Sequence, residues 1–338
     1  MKTAYLSEWL NLTDQTKRNI FLETAKAIGL PDAAIEKDWW VVRILEQVFD
    51  TSISTHTVFK GGTSLSKAWG QIDRFSEDID LALDRRFLGF EKDDSEMSPS
   101  QVRKLRERSF KFISETYFLE LGKKIQESGF EGLNLKIREI TSHDQDPLII
   151  EIQYPSVTDP VPYLTPRVLI EVGSRSLIEP FEDRGFSSFI GERFKGREFA
   201  DEPINIPTVR PERTFLEKIF LLHEEFQKGI DKILVERKSR HLYDLEKMMD
   251  TDFARSALAD ADLYRRIVEH RRRITPLRGI DYDNHVPEKI NPIPPDEIIV
   301  EWESDYNQMK ESMFYNTALP FAELIIRIKV LKERINAI

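Results

Sequence analysis

The segment Ser76-Glu77-Asp78-Ile79-Asp80-Leu81-Ala82-Leu83 constrains this chain more than any other stretch. Acid and aliphatic residues alternate, and in a strand successive side chains take opposite faces. A strand over 77–84 therefore points Asp78 and Asp80 one way and buries Ile79, Leu81 and Leu83 on the other side. Two carboxylates held side by side repel each other unless something positive lies between them. A hard divalent cation, which prefers oxygen ligands and octahedral geometry, would meet that need.

Just upstream, Phe59-Lys60-Gly61-Gly62-Thr63-Ser64-Leu65 reads as a short strand over 57–60, a Gly-Gly turn and a helix over 63–70. Glycine lets a backbone approach a phosphate closely, and a helix N-terminus directs N–H groups at an anion. Gly62, Thr63 and Ser64 are thus candidate triphosphate contacts, and Lys67 lies one turn further on. The plain structural reading is that Thr63 or Ser64 caps the helix and that Lys67 is solvated. A phosphate cradle beside paired metal carboxylates is the equipment for moving a nucleotide.

The order Gly-Gly-Thr-Ser-Leu, short helix, Arg-Phe-Ser-Glu-Asp-Ile-Asp resembles the DNA polymerase β-type nucleotidyltransferases. More narrowly, the chain resembles the AbiEii/AbiGii toxin family of bacterial toxin–antitoxin and abortive-infection systems. Glu36-Lys37-Asp38-Trp39-Trp40-Val41 looks like that family's N-terminal motif. Thr214-Phe215-Leu216-Glu217-Lys218-Ile219 and Arg240-His241-Leu242-Tyr243-Asp244-Leu245 look like its two downstream helical motifs. Each is weak alone; the four in this order are specific.

The resemblance implies roles for further residues. Glu171, an acid between Ile170 and Val172, becomes a third carboxylate beside Asp78 and Asp80, completing the metal shell and taking a proton from the attacking hydroxyl. The alternative is an edge-strand Glu paired with Arg167 or Arg175. Lys218 borders the apolar stripe of a helix begun by Pro211, where a snorkelling ammonium could neutralise a triphosphate or simply face solvent. Asp244 would recognise the nucleotide or orient Lys218, and Arg240 joins the nucleotide-binding set. The bland reading of that last pair is an exposed i,i+4 salt bridge worth a few tenths of a kcal/mol. Glu36, Lys37 and Asp38 lie on a core helix, and the sequence yields no role for them beyond packing and salt bridges.

Periodicity supplies the frame. Helical spacing is read over 15–28 and 33–49, and over a long helix ending near Gly129; strands are read over 133–140, 148–154 and 167–173. After about residue 207 the pattern is helical, over 211–227, 237–250, 254–270 and 304–335, with a Pro-rich loop at 275–298. The expected fold is α+β: a nucleotidyltransferase-type mixed sheet with flanking helices over 1–208, then a helical domain over 209–338.

Hydrophobic residues make up 40% of the 338 positions, enough for a substantial core. No run approaches the roughly 18 apolar residues that span a membrane, and residues 1–8 lack the apolar stretch of a secretory signal. There is no cysteine, hence no thiolate chemistry; the histidines show no metal-ligand spacing. A cytoplasmic location fits. The net charge of −10 argues against broad nucleic-acid binding, but leaves local basic patches at 103–111 and 265–273, each readable also as a solvated helix face.

The expectation is an Mg²⁺-dependent nucleotidyltransferase toxin, with Mn²⁺ as the alternative ion. It would transfer NMP from an NTP to an acceptor hydroxyl; the resemblance implies RNA, at the tRNA 3′ end, and a cognate antitoxin as partner. Two rival readings remain open: NMP transfer to a protein side chain, and a nucleotide-binding toxin or regulator that turns nothing over.

Overall fold

The structure, a computed structural model, describes residues 4–161 and 164–338. It divides into two compact units. The sheet unit runs to Val209, and the helical unit comprises Gly70–Arg74, Lys92–Pro99 and Arg210–Ile338.

In the sheet unit the helices are α1 (Ala4–Asn11), α2 (Asp14–Ile28), α3 (Asp32–Val48), α4 (Gly61–Lys67), α5 (Pro99–Phe112), α6 (Phe118–Glu127) and α7 (Phe189–Arg193). The strands are β1 (Thr57–Lys60), β2 (Asp78–Leu83), β3 (Asn134–Ile137), β4 (Leu148–Gln153), β5 (Arg167–Gly173), β6 (Phe181–Phe186) and β7 (Ile204–Val209). They form one mixed sheet in the order β3-β4-β5-β2-β1-β7-β6. The β2–β5 and β1–β7 pairs are parallel, and the other pairs are antiparallel. The expected α+β class with a mixed sheet and flanking helices is what the chain adopts.

The alternation in β2 works as the sequence implies. Ile79 and Leu81 are buried together with Ile150 and Ile152 of β4 and Val168, Ile170 and Val172 of β5. Asp78 and Asp80 are half-exposed. Helix α3 packs on β2 and β5 and is buried almost all round, Glu36, Lys37, Asp38 and Arg43 included. Its aromatics are locked by stacking: Trp39 on Trp9 at 4.8 Å and Trp40 on Tyr154 at 5.1 Å between ring centroids. Such pairs add about 0.5–1.5 kcal/mol each beyond their buried area.

Several boundaries differ from the sequence expectation. Helix α1 carries no strong periodic signal and was not expected. The stretch 185–208 holds the end of β6, then α7 and β7. Strand β6, Phe-Glu-Asp-Arg-Gly-Phe, has no apolar alternation and exists through its antiparallel pairing with β7. The long helix before Gly129 is α5 and α6 joined by a π-helical turn at Ile113–Tyr117. Strand β3 ends at Ile137, short of residue 140.

The helical unit contains α8 (Pro211–Phe226), α9 (Arg240–Met248), α10 (Asp252–Ala259), α11 (Ala261–Arg273), α12 (Ile299–Met313) and α13 (Phe321–Asn336). Pro211 opens α8, the position where a missing N–H costs nothing. The expected helix 254–270 is two helices, because the Asp260 side chain accepts the Leu263 N–H at 2.9 Å and starts α11. The expected helix 304–335 is also two; Pro320 cannot continue a helix and sits at the start of α13.

Candidate active site

The carboxylate centre is set by strand register. Asp80 on β2 lies opposite Lys60 on β1 and opposite Glu171 on β5. Paired residues project to the same face, so Lys60, Asp80 and Glu171 form a row, with Asp78 two residues back along β2. Burial and the neighbouring Asp80 charge push the Glu171 carboxyl up to about 6, against the pull of Lys60; Asp78 and Asp146 add to the rise. The sequence thus brings its three candidate acids onto adjacent strands.

Gly61, which sequence reasoning passed over in favour of Gly62, is the glycine the centre depends on. Its φ is +80°, and a Cβ there would lie 2.0 Å from Asp80 Oδ2. Only glycine adopts that backbone readily and leaves room for the carboxylate. Lys60, in the same row, was also missed; its signal was its place between a strand and the Gly-Gly pair.

The hydroxyls of the turn are not free for a phosphate as expected. Thr63 Oγ donates to the Asp78 carbonyl and reaches Ser76 Oγ at 3.0 Å. Ser64 Oγ donates to the Gly61 carbonyl at 2.9 Å. Neither caps the helix, which begins after Lys60 without a side-chain cap. Thr63 instead ties α4 to the first residue of β2. Lys67 is not solvated: it is buried, 3.0 Å from Asp38 Oδ1, with its ammonium 3.9 Å from the centre of the Phe189 ring. Asp38 also accepts the Phe189 N–H at 2.7 Å. An ammonium so committed is a structural tie.

The Glu36-Lys37-Asp38 run gains a role. Glu36 accepts hydrogen bonds from Ser156 Oγ at 2.7 Å and from the backbone N–H groups of Val157 and Thr158 at 2.9 and 3.2 Å. Lys37 donates to Glu77 and to the Thr165 carbonyl, the latter at 3.0 Å. Consecutive residues of one buried helix therefore hold the loop after β4, the residue before Asp78, and α4 with α7.

In the helical unit, Asp244 is fully buried and accepts two hydrogen bonds from Arg74, at 2.6 and 2.8 Å. Lys218 Nζ lies 2.8 Å from the same carboxylate. Burial alone would raise the Asp244 pKa, yet these two cations hold it near 2. The exposed Arg240–Asp244 pair and the surface-lysine reading of Lys218 are both overturned, since Asp244 and Lys218 are buried. Arg240 is half-buried, and its charge is among those that lower the Lys218 and His241 pKa values. Burial, then the Lys218 charge, keep His241 neutral. Arg74 opens the Arg-Phe-Ser-Glu-Asp-Ile-Asp run, but nothing local to it predicts a partner so distant along the chain.

The basic run of α11 is also largely accounted for. Arg271 is bound to Glu224 by two hydrogen bonds, Arg272 reaches Asp283 at 2.7 Å, and Arg273 and Arg265 pair with Glu269 and Asp262. In the other basic run, Arg103 pairs with Glu107 and Arg106 with Asp144.

Residues 43–327 match the family model of the AbiEii nucleotidyl transferase toxin of type IV toxin–antitoxin systems. The chain belongs to that family. Among solved structures it is similar to MenT4, a nucleotidyltransferase toxin from Mycobacterium tuberculosis H37Rv, at 18% identity and a TM-score of 0.52. The match covers 97% of this chain and 91% of that one, and at this identity the likeness is one of fold. No curated protein sequence matches the chain. This AbiEii-family chain is thus a nucleotidyltransferase of the toxin type, and among its described residues no helix is long and apolar enough to cross a membrane.

The donor set of this AbiEii chain suits a hard divalent ion. Asp78 and Asp80 lie half-exposed on one face, and burial, then the Asp80 charge, raise the Glu171 pKa beside them. Among the described residues no three acidic or histidine side chains are grouped closely enough to hold an ion by themselves. Mg²⁺ does not require that; it commonly takes one or two carboxylates and completes its shell with water and substrate phosphate.

Proposed function

We propose that this AbiEii-family chain is a cytoplasmic, Mg²⁺-dependent toxin that transfers NMP from an NTP to a hydroxyl of RNA, such as the tRNA 3′ end, and is countered by a cognate antitoxin. The observation that carries the reading is the row Lys60–Asp80–Glu171 with Asp78 beside it on one face of the sheet. Asp78 and Asp80 would hold the ion, and Glu171 would join them or stand next to it. A bound ion supplies charge stabilisation to the phosphoryl group under attack. Glu171, with a pKa near 6, is ionised at neutral pH and would take the acceptor proton. The acceptor oxygen bonds to the α-phosphorus, the bond to the bridging oxygen breaks, and pyrophosphate departs with the electron pair. Gly61 keeps Asp80 in place, and Lys60 offsets part of the negative charge. Lys218 and Asp244 are proposed as further nucleotide residues, Asp244 by fixing the Lys218 ammonium. Arg240 and the backbone of Gly62–Ser64 complete the proposed contacts.

The test is incubation with each NTP radiolabelled at the α-phosphate, Mg²⁺, and bacterial total RNA or lysate. Label is expected in RNA, and Asp78→Asn or Asp80→Asn should abolish it without lowering the melting temperature. Label in protein alone would shift the acceptor to a side-chain hydroxyl. NTP binding with no transfer would leave a nucleotide-binding regulator.

A further inference from the structure

Beyond Glu171 the carboxylate-bearing face of the sheet changes sign. Register fixes the geometry: Ile149 on β4 lies opposite Glu171, and Glu151 lies opposite Leu169 on one side and Lys136 of β3 on the other. Residues two apart along a strand share a face. Glu151, Arg167, Lys136 and Arg138 are therefore on the same face as Asp80 and Glu171. Glu151 sits one strand across from Glu171, about 4.8 Å, and two residues along, about 7 Å.

Around Glu151 three cations converge. Lys136 Nζ is 3.1 Å, Arg167 3.2 Å and Arg138 Nε 3.4 Å from its carboxylate. The acid itself is 2% exposed, whereas the Lys136, Arg138 and Arg167 side chains are 53%, 37% and 31% exposed. Burial pushes Glu151 up, but Lys136 and Arg167 hold it below the ordinary carboxylate range. One carboxylate offsets only one of three cations, so two positive charges remain in excess. The arrangement differs from the α11 arginines described above, most of which are matched one to one with an acid. Here a buried acid gathers cations whose outer sides face solvent, on a chain whose net charge is −10.

We propose that Lys136, Arg138 and Arg167 bind the phosphodiester backbone of an acceptor RNA whose terminal hydroxyl lies at Glu171. This rests on the nucleotidyltransferase reading given above. The complementarity is that of a polyanion. A short path along one sheet face joins the cations to the carboxylate centre, and a protein hydroxyl would not need them.

The experiment compares wild type, the double variant Lys136→Gln/Arg138→Gln, and Glu151→Gln. A fluorescein-labelled single-stranded oligoribonucleotide is titrated across a salt series, and NTP affinity, transfer to total RNA and thermal midpoint are measured on the same samples. The double variant should weaken oligoribonucleotide binding and flatten its salt dependence by about 0.7 of slope for each lost phosphate contact, raising KM for RNA. NTP affinity should hold. Glu151→Gln should act oppositely, tightening binding and steepening the slope, an effect that a purely structural role would not produce. Wild-type label in RNA with unchanged KM and slope in both variants would overturn this surface while leaving the function standing. Wild-type label in protein alone would overturn both.

Discussion

Glu171→Gln should stabilise the metal-free protein while abolishing transfer. The carboxyl's ordinary pKa of 4.5 rises to about 6 in the fold through burial and the Asp80 charge. Between those values the folded state binds more protons than the unfolded one, so stability falls as pH rises through the window. Above about pH 6 the penalty is complete and worth up to about 2 kcal/mol. Glutamine keeps the size and removes the charge. In EDTA, urea unfolding followed by tryptophan fluorescence should show the variant more stable at pH 7.5. The gap should close as pH falls below about 4.5. Trp9, Trp39, Trp40 and Trp69, all in the sheet unit, report its unfolding. Adding Mg²⁺ should help wild type more than the variant and narrow the gap. Equal stability at pH 7.5, or a gap that ignores pH, would refute the claim that burial and the neighbouring Asp80 charge disfavour the ionised Glu171.

Gly61→Ala should cost about 1–2 kcal/mol for the left-handed backbone and should also lose transfer, because the new Cβ displaces the Asp80 carboxylate; a melt and a transfer assay on one preparation check both. Lys67→Ala should leave Asp38 buried without its cation and cost about 3–5 kcal/mol, with NTP affinity of the folded fraction unchanged; a selective loss of NTP affinity at full stability would restore the phosphate-contact reading. Asp244→Asn should destabilise the helical unit by a similar amount, since Arg74 and Lys218 lose their counter-charge. The wild-type contribution of Asp244, held near pKa 2, is fully present above about pH 3.8 and lost as pH falls through about 2. Acid melts of wild type and variant should therefore converge only at the lowest pH.

What the sequence made legible were features written in short range. The alternation of β2 is a period-two pattern whose faces could be read directly, and the strand around Glu171 was legible as an apolar run broken by one acid. Their register could not, because which strand neighbours β2 depends on chain crossovers. The partners of Thr63, Ser64 and Lys67 were not legible for one reason. A hydroxyl or ammonium near a glycine turn looks available in sequence, whereas the fold supplies the Asp78 carbonyl, the Gly61 carbonyl and Asp38. Strand β6 was illegible because its six residues contain no buried alternation, and its ladder comes from β7. Asp260 and Pro320 did carry local signals, a cap and a breaker, and the two long helices should have been divided there.

The buried charges of α3 explain why a site made of repelling carboxylates can be held in place. A buried ion pair contributes little net stability against an apolar replacement, so Lys37–Glu77 and Asp38–Lys67 are poor candidates for simple stabilisers. They do fix direction. Lys37 reaches the residue before Asp78, Asp38 reaches the last residue of α4, and Thr63 binds the start of α4 to the Asp78 carbonyl. The two ends of the segment from α4 to β2 are thereby pinned to one rigid helix, and Gly61 sets the gap into which Asp80 fits. Apolar side chains could fill the same volume but would not select which residue meets which. In this chain the Glu36-Lys37-Asp38 run acts by positioning, fixing the segments that flank the carboxylate-bearing strand.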